Sequence, residues 1–264
     1  MNLVLFDLGG TLINDPFPEA MTGLRESTSP QDVGLNDISE FAFQQLLNAW
    51  KEENASFNFP LASHFLQEEV WIIRAFRAIA TTHEVCPGDL PTVTARLLER
   101  YREHARGVVA SQPQLPYIRE SLEILLKHNA KIGVASNDRD FATRSMLSWA
   151  GLDSYFHWIF TSDGLSTPEQ QIEKPQELFF SRIEQAIVAT NGTIDRKIYV
   201  GDNELNDVEV PQRLGYITVR YINKMNSLDA VWLDHRTSTR ATYQYADPRH
   251  LPTLARTIVR ENFP

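Results

Sequence analysis

Cysteine is almost missing from this chain: Cys86 stands alone among 264 residues. No disulfide can form within the chain, and no metal site built on several cysteines is available. A reducing compartment fits that usage, and the cysteine itself reads as a small buried hydrophobe. Long apolar runs are missing too, since none reaches the roughly 18 residues that a membrane span needs. Basic charge is in deficit, with 25 Lys and Arg against 34 Asp and Glu and a formal net charge of -9. A general affinity for nucleic acid or an anionic membrane is therefore not expected, because both need a basic excess. The N-terminus carries no basic leader, and Asp7 stands where a signal peptide would be apolar, so a cytoplasmic location is the expectation. Hydrophobic residues make up 42% and charged residues 22%, the balance of a folded globular protein.

What is present begins at once. Leu3-Val4-Leu5-Phe6 is a short apolar run that reads as a buried strand and breaks into Asp7-Leu8-Gly9-Gly10-Thr11-Leu12. Asp7 then sits at a strand's carboxyl end, where open parallel sheets bind their ligands. Gly10 and Thr11 would bring backbone amides and a hydroxyl close to whatever binds there.

Ile13 to Pro18 reads as a turn-rich exit, and Thr22 to Asn36, polar and poorly periodic, as a loop. From Ser39 to Ala110 only helical periodicity appears. Phe43, Leu46, Leu47 and Trp50 form one stripe, Leu66, Val70, Ile73, Phe76 and Ala80 a second, and Val93, Leu97, Leu98 and Tyr101 a third. Pro60 and Cys86-Pro87-Gly88 punctuate them.

From Pro116 strands and helices alternate. Helices are expected over Ile118–Asn129, Phe141–Ala150, Glu177–Thr190 and Leu251–Val259. Strands are expected over Lys131–Ala135, Phe156–Phe160, Lys197–Val200 and Tyr216–Ile222, with an edge strand at Tyr243–Ala246. Thr161–Glu173 and Asn223–Arg240 read as loops. Such alternation predicts a doubly wound parallel α/β core, Rossmann-like, with an all-helical insertion. The expected domains are a core of residues 1–15 and 112–264 and a helical domain of residues 16–111.

Polar residues then fall at four strand ends: Asp7, Ser136, Lys174, and Asp202 with Asp207. In a parallel sheet these ends share one edge, so the side chains can converge. Carboxylates with a main-chain carbonyl make a hard-oxygen site for Mg²⁺, and an ammonium and a hydroxyl suit a phosphoryl group. Each residue alone has a plainer reading: Asp7 as a turn residue, Lys174 as a solvated lysine, Ser136 as a helix cap.

Four motifs in this order resemble the haloacid dehalogenase superfamily: Phe6-Asp7-Leu8-Gly9-Gly10-Thr11-Leu12, then Val134-Ala135-Ser136-Asn137, then Lys174-Pro175, then Val200-Gly201-Asp202-Asn203-Glu204-Leu205-Asn206-Asp207. The resemblance implies a C1-type helical cap, closing over a small phosphorylated substrate, and an Mg²⁺-dependent phosphohydrolase acting through an aspartyl-phosphate. It also implies roles: Asp7 as nucleophile, Ser136 as a phosphate ligand, and Lys174 as the charge orienting both. Asp7, the Gly9 carbonyl and Asp202 would hold the metal, with Asp207 as a further ligand or a support. Asn137, Gly10 and Thr11 are candidates for contact with substrate, as are Arg74 and Arg77 from the cap, against the plainer reading of a solvated helix face. A monomer and a homodimer are both compatible with the chain.

One departure stands out. Phosphatases of this family usually carry a second Asp two residues after the nucleophile, as acid and base; here that position is Gly9. Asp15, Glu19 or a group of the substrate could replace it. The alternatives are a protein that binds phosphate without turning it over, and a phosphonatase or dehalogenase branch. The second is disfavoured by Asp202 and Asp207, and a phosphonatase would have to use Lys51, the only lysine of the insertion.

Overall fold

The computed structural model describes residues 1–35, 38–56, 72–75, 90–222 and 241–263, the side chains of 53–56 excepted. Its contacts divide the chain into two compact units, residues 1–14 with 111–264, and residues 15–110.

The first unit is built on a six-stranded sheet of β1 (Asn2–Phe6), β2 (Ala130–Ser136), β3 (Trp158–Thr161), β4 (Arg196–Gly201), β5 (Ile217–Tyr221) and β6 (Tyr243–Tyr245). All neighbours are parallel and the order is β3-β2-β1-β4-β5-β6. The chain goes from β1 to one side and later returns to the other, so the sheet's switch point lies between β1 and β4. Phe6 stands opposite Val134 on one side and Val200 on the other. The residues just past these three positions therefore emerge together at one edge.

β1 is aliphatic throughout because both its faces are covered. Leu3 and Leu5 pack with Phe179, Phe180, Ile183 and Ile187 of the helix Glu177–Asn191. Alternation sends Val4 and Phe6 to the other face, where they are also buried. The helices Leu115–Lys127 and Leu251–Asn262 pack on one another and complete the layers. Each opens with a proline in its first turn, where the missing N–H has no helical partner to lose.

The second unit is helical in its described residues: Phe17–Ser27, Glu40–Ser56 and Leu90–Ala110. Its centre is aromatic. Phe17, Trp50 and Tyr101 are buried with ring centroids 5.5 to 6.3 Å apart. The expected stripes at Phe43, Leu46 and Leu47 and at Val93, Leu97 and Leu98 are buried as well.

Two loop expectations need correction. Thr22 to Asn36 is not a loop throughout: Phe17–Ser27 is an α-helix and Gln31–Val33 a 3₁₀ turn ended by Gly34 at φ 85°. The pattern Phe17, Ala20, Met21 and Leu24 starts upstream, at prolines that suit a helix's first turn as well as a loop. Within Thr161 to Glu173, Ser162–Leu165 forms one helical turn whose Gly164 amide is received by the Thr161 hydroxyl. Pro60, Leu66, Val70, Phe76, Arg77, Ala80 and Cys86-Pro87-Gly88, and residues 223–240 that read as a loop in the sequence, lie outside the described residues. Among the described residues no helix is long and apolar enough to cross a membrane.

Candidate active site

β1, β4 and the segment after β3 place Asp7, Asp207 and Lys174 around one buried point. The Lys174 ammonium donates to Asp7 Oδ1 at 2.5 Å, Asp207 Oδ1 at 2.8 Å and the Tyr199 hydroxyl at 3.1 Å. Its three hydrogens are thus all directed at protein oxygens. Lys174 itself is 5% exposed. Burial alone would strip its charge, but Asp207 and Asp7 outweigh it and hold the ammonium well above the ordinary lysine range.

One carboxylate oxygen from each of Asp7, Asp202 and Asp207 lies within 4.8 Å of the others. Burial, with Asp207 and Asp202 alongside, pushes the Asp7 carboxyl well above its usual range despite Lys174. Asp202 rises to about 6, first through burial and then through Asp207. Among the described residues these three carboxylates share one ammonium, Lys174, which leaves a surplus of negative charge that a hard cation would neutralise.

Backbone geometry makes that approach possible. Gly10 has φ 75°, and a Cβ there would run into the Asp202 carboxylate. A Cβ on Gly201 would strike the Asp207 side chain. Gly9 is under no such constraint: it is exposed, and an added Cβ would meet none of the described residues within 4 Å.

The second motif works through its turn. Ser136 is buried, donates its hydroxyl to Asp138 Oδ2 at 3.0 Å and accepts the Asp138 amide at 3.1 Å. It does not cap the helix Asp140–Trp149, whose Asp140 amide is received by Asp163 from beyond β3. Asn137, expected at the substrate, uses its amide on the Lys174 main chain: its Oδ1 accepts the Lys174 amide at 2.7 Å and its Nδ2 donates to the carbonyl at 3.1 Å. Thr11 is buried, and its hydroxyl has no hydrogen-bond partner among the described residues. Asp207 spends its second oxygen on the Asn203 amide at 3.0 Å. Asp15, raised as a replacement acid, accepts the Phe17 amide at 2.9 Å and is exposed, as is Glu19. Arg74 is exposed within a helical stretch of the second unit, and Arg77 falls outside the described residues.

Two residues at this site were not singled out from sequence. The Tyr199 hydroxyl, fully buried on β4, accepts from Lys174 and donates to the Ala135 carbonyl at 3.0 Å. Its ring is fixed edge-on against Phe180 and Tyr216. Arg220 on β5 lies beside the Asp202 loop. The available signal for both was a polar group inside a strand that should be buried on both faces. Tyr199→Phe removes one acceptor from Lys174 and orphans the Ala135 carbonyl, at a cost of about 1–3 kcal/mol. A thermal melt should show it as a Tm lower by roughly 2–4 °C per kcal/mol. An unchanged Tm would mean that the hydroxyl contributes nothing to holding Lys174.

A parallel α/β sheet with an aspartate, a lysine and an acidic loop gathered at its switch point defines a class of proteins that act on a ligand at the strand ends. The chain belongs to the family described as haloacid dehalogenase-like hydrolase, which matches residues 1–215. No curated protein matches it. Among solved structures it resembles a 2-haloacid dehalogenase from Pseudomonas syringae pv. Tomato DC3000, with TM-score 0.57 and 19% identity over 97% of this chain and 99% of that one. It also resembles a HAD phosphatase from Thermococcus onnurineus, with TM-score 0.54 and 19% identity over 96% and 97%. A third is Bacillus subtilis YfnB in a magnesium-bound form, with TM-score 0.53 and 15% identity over 97% and 98%. At these identities the likeness concerns the fold.

Proposed function

We propose that this hydrolase is an Mg²⁺-dependent phosphohydrolase of a small phosphorylated metabolite, working through an aspartyl-phosphate on Asp7. The observation that carries the reading is the cluster of Asp7, Asp202 and Asp207, answered among the described residues by the Lys174 ammonium. This donor set, all oxygen and with surplus negative charge, fits Mg²⁺. Asp7, the Gly9 carbonyl and Asp202 would hold the ion, with Asp207 behind them as the link to Lys174. When bound, Mg²⁺ would draw charge from the phosphoryl oxygens and screen them from Asp7.

The remaining work belongs to the chain. Lys174 engages Asp7 Oδ1 and leaves Oδ2 for attack on phosphorus. The Asp7 oxygen–phosphorus bond forms as the bond to the leaving oxygen breaks, and water then hydrolyses the acyl phosphate. Gly9 offers no proton to the leaving oxygen, so a leaving group that departs unassisted suits the site. Ser136 and the amides after Asp7 would take the phosphoryl oxygens, which requires the Ser136 hydroxyl to leave Asp138. In this reading residues 16–111 act as the cap that sets substrate range, with Arg74 and Arg77 as candidates for an anionic end of the substrate. Gly9 is also what favours the second reading, a protein that binds phosphate without turning it over.

Hydrolysis of an aryl phosphate, followed with Mg²⁺ and with chelator, tests the proposal. Turnover that needs Mg²⁺ and stops with chelator is the expected result. A folded, Mg²⁺-binding protein with no turnover favours the binding reading. Chelator-resistant halide release from a 2-haloacid would place the chain with the dehalogenases.

A further inference from the structure

Arg220 is a guanidinium 5% exposed on β5, inside a parallel strand whose neighbours Thr218 and Val219 are buried. Burying such a charge is costly unless it is paired and hydrogen-bonded. Here both conditions are met by one loop. Arg220 Nε donates to the Asp202 main-chain carbonyl at 3.3 Å, and Nη1 forms an ion pair with Glu204 Oε2. Register explains the reach, since Arg220 stands opposite Gly201, the residue before Asp202.

Asp207 ties the loop's two ends together: it accepts from Lys174 and, across the loop, from the amide of the Asp202–Asn203 peptide, and Asn203 Oδ1 accepts the Asn206 amide at 2.9 Å. Arg220 takes the carbonyl of that same peptide, next to the half-buried Asp202. We infer that Arg220, through its fork on the Asp202 carbonyl and Glu204, is a positioning residue that presents the Asp202 carboxylate to a divalent cation. The inference rests on the proposed Mg²⁺ site. A planar guanidinium can hold two oxygens at once, and its charge lies near a cluster of repelling carboxylates; a lysine supplies the charge without the fork.

The test is calorimetric titration with Mg²⁺ alone, together with the Tm of each protein with and without Mg²⁺. Arg220→Gln and Arg220→Lys should both weaken Mg²⁺ binding by about 10- to 100-fold, the usual effect of losing a group that orients a ligand. Failure of lysine to restore affinity separates positioning from charge. Glu204→Gln leaves the buried guanidinium without its counter-charge, so it should lower the metal-free Tm and in addition weaken Mg²⁺ binding and shrink the Tm gain on Mg²⁺, the gain being read within the variant itself. That variant carries the test if Arg220→Gln does not fold. Wild-type Mg²⁺ affinity in folded Arg220→Lys and Glu204→Gln would overturn the inference and leave the metal site standing. A wild-type protein that binds no Mg²⁺ would remove the metal site and the inference with it.

Discussion

Asp7→Asn should reduce Mg²⁺-dependent turnover of an aryl phosphate by about 10⁴- to 10⁶-fold, the scale on which a covalent nucleophile is missed. The substitution is nearly isosteric and tests chemistry rather than packing. An asparagine oxygen can still accept from Lys174, which also retains Asp207 and Tyr199. Burial and the neighbouring carboxylates raise the Asp7 carboxyl, so the folded state loses stability as the pH climbs from the ordinary carboxylate range to that raised value, and the full penalty stands above it. Replacing it with a neutral amide removes that penalty at neutral pH and above. The metal-free Tm should therefore hold or rise while turnover disappears, and mass spectrometry of quenched reactions should find phosphate on the wild type alone. Activity within tenfold of wild type would take the nucleophile's role away from Asp7.

Gly9→Asp should work in the opposite direction, raising kcat/KM for a simple alkyl phosphate by about 10²- to 10⁴-fold, the usual worth of a placed general acid. The backbone accepts the change. Gly9 is not among the residues with positive φ, and its added Cβ would meet none of the described residues within 4 Å. Gly10, one residue on, could not be replaced without striking Asp202. The gain should be confined to leaving groups that need a proton, so an aryl phosphate should change little. Equal gains on both substrates, or none on the alkyl phosphate with Mg²⁺ binding intact, would show that the missing acid does not limit this site.

Much of the site was legible along the chain. Apolar runs ending in Asp7 and Asp202 mark strand ends by local pattern alone, and a parallel sheet turns strand ends into one edge. The alternation from Pro116 onward specified the parallel class, and the structure supplies its order, with β1 and β4 flanking the switch point. Less legible was the segment Phe17–Ser27, where prolines that open a helix look like prolines that break one.

Roles were harder to read than places. The sequence by itself determined the alternating elements of the core, the acidic character of the site and the absence of a carboxylate at Gly9, because these depend on residue type and local periodicity. Only the tertiary structure decided who holds whom. Tyr199 is far from Lys174 along the chain yet accepts its third hydrogen, Asn137 braces the Lys174 main chain, and Arg220 ties down the loop of Asp202. These partnerships come from neighbouring strands and loops meeting at one edge, and a buried polar group takes its partner from whatever the fold brings within hydrogen-bonding distance.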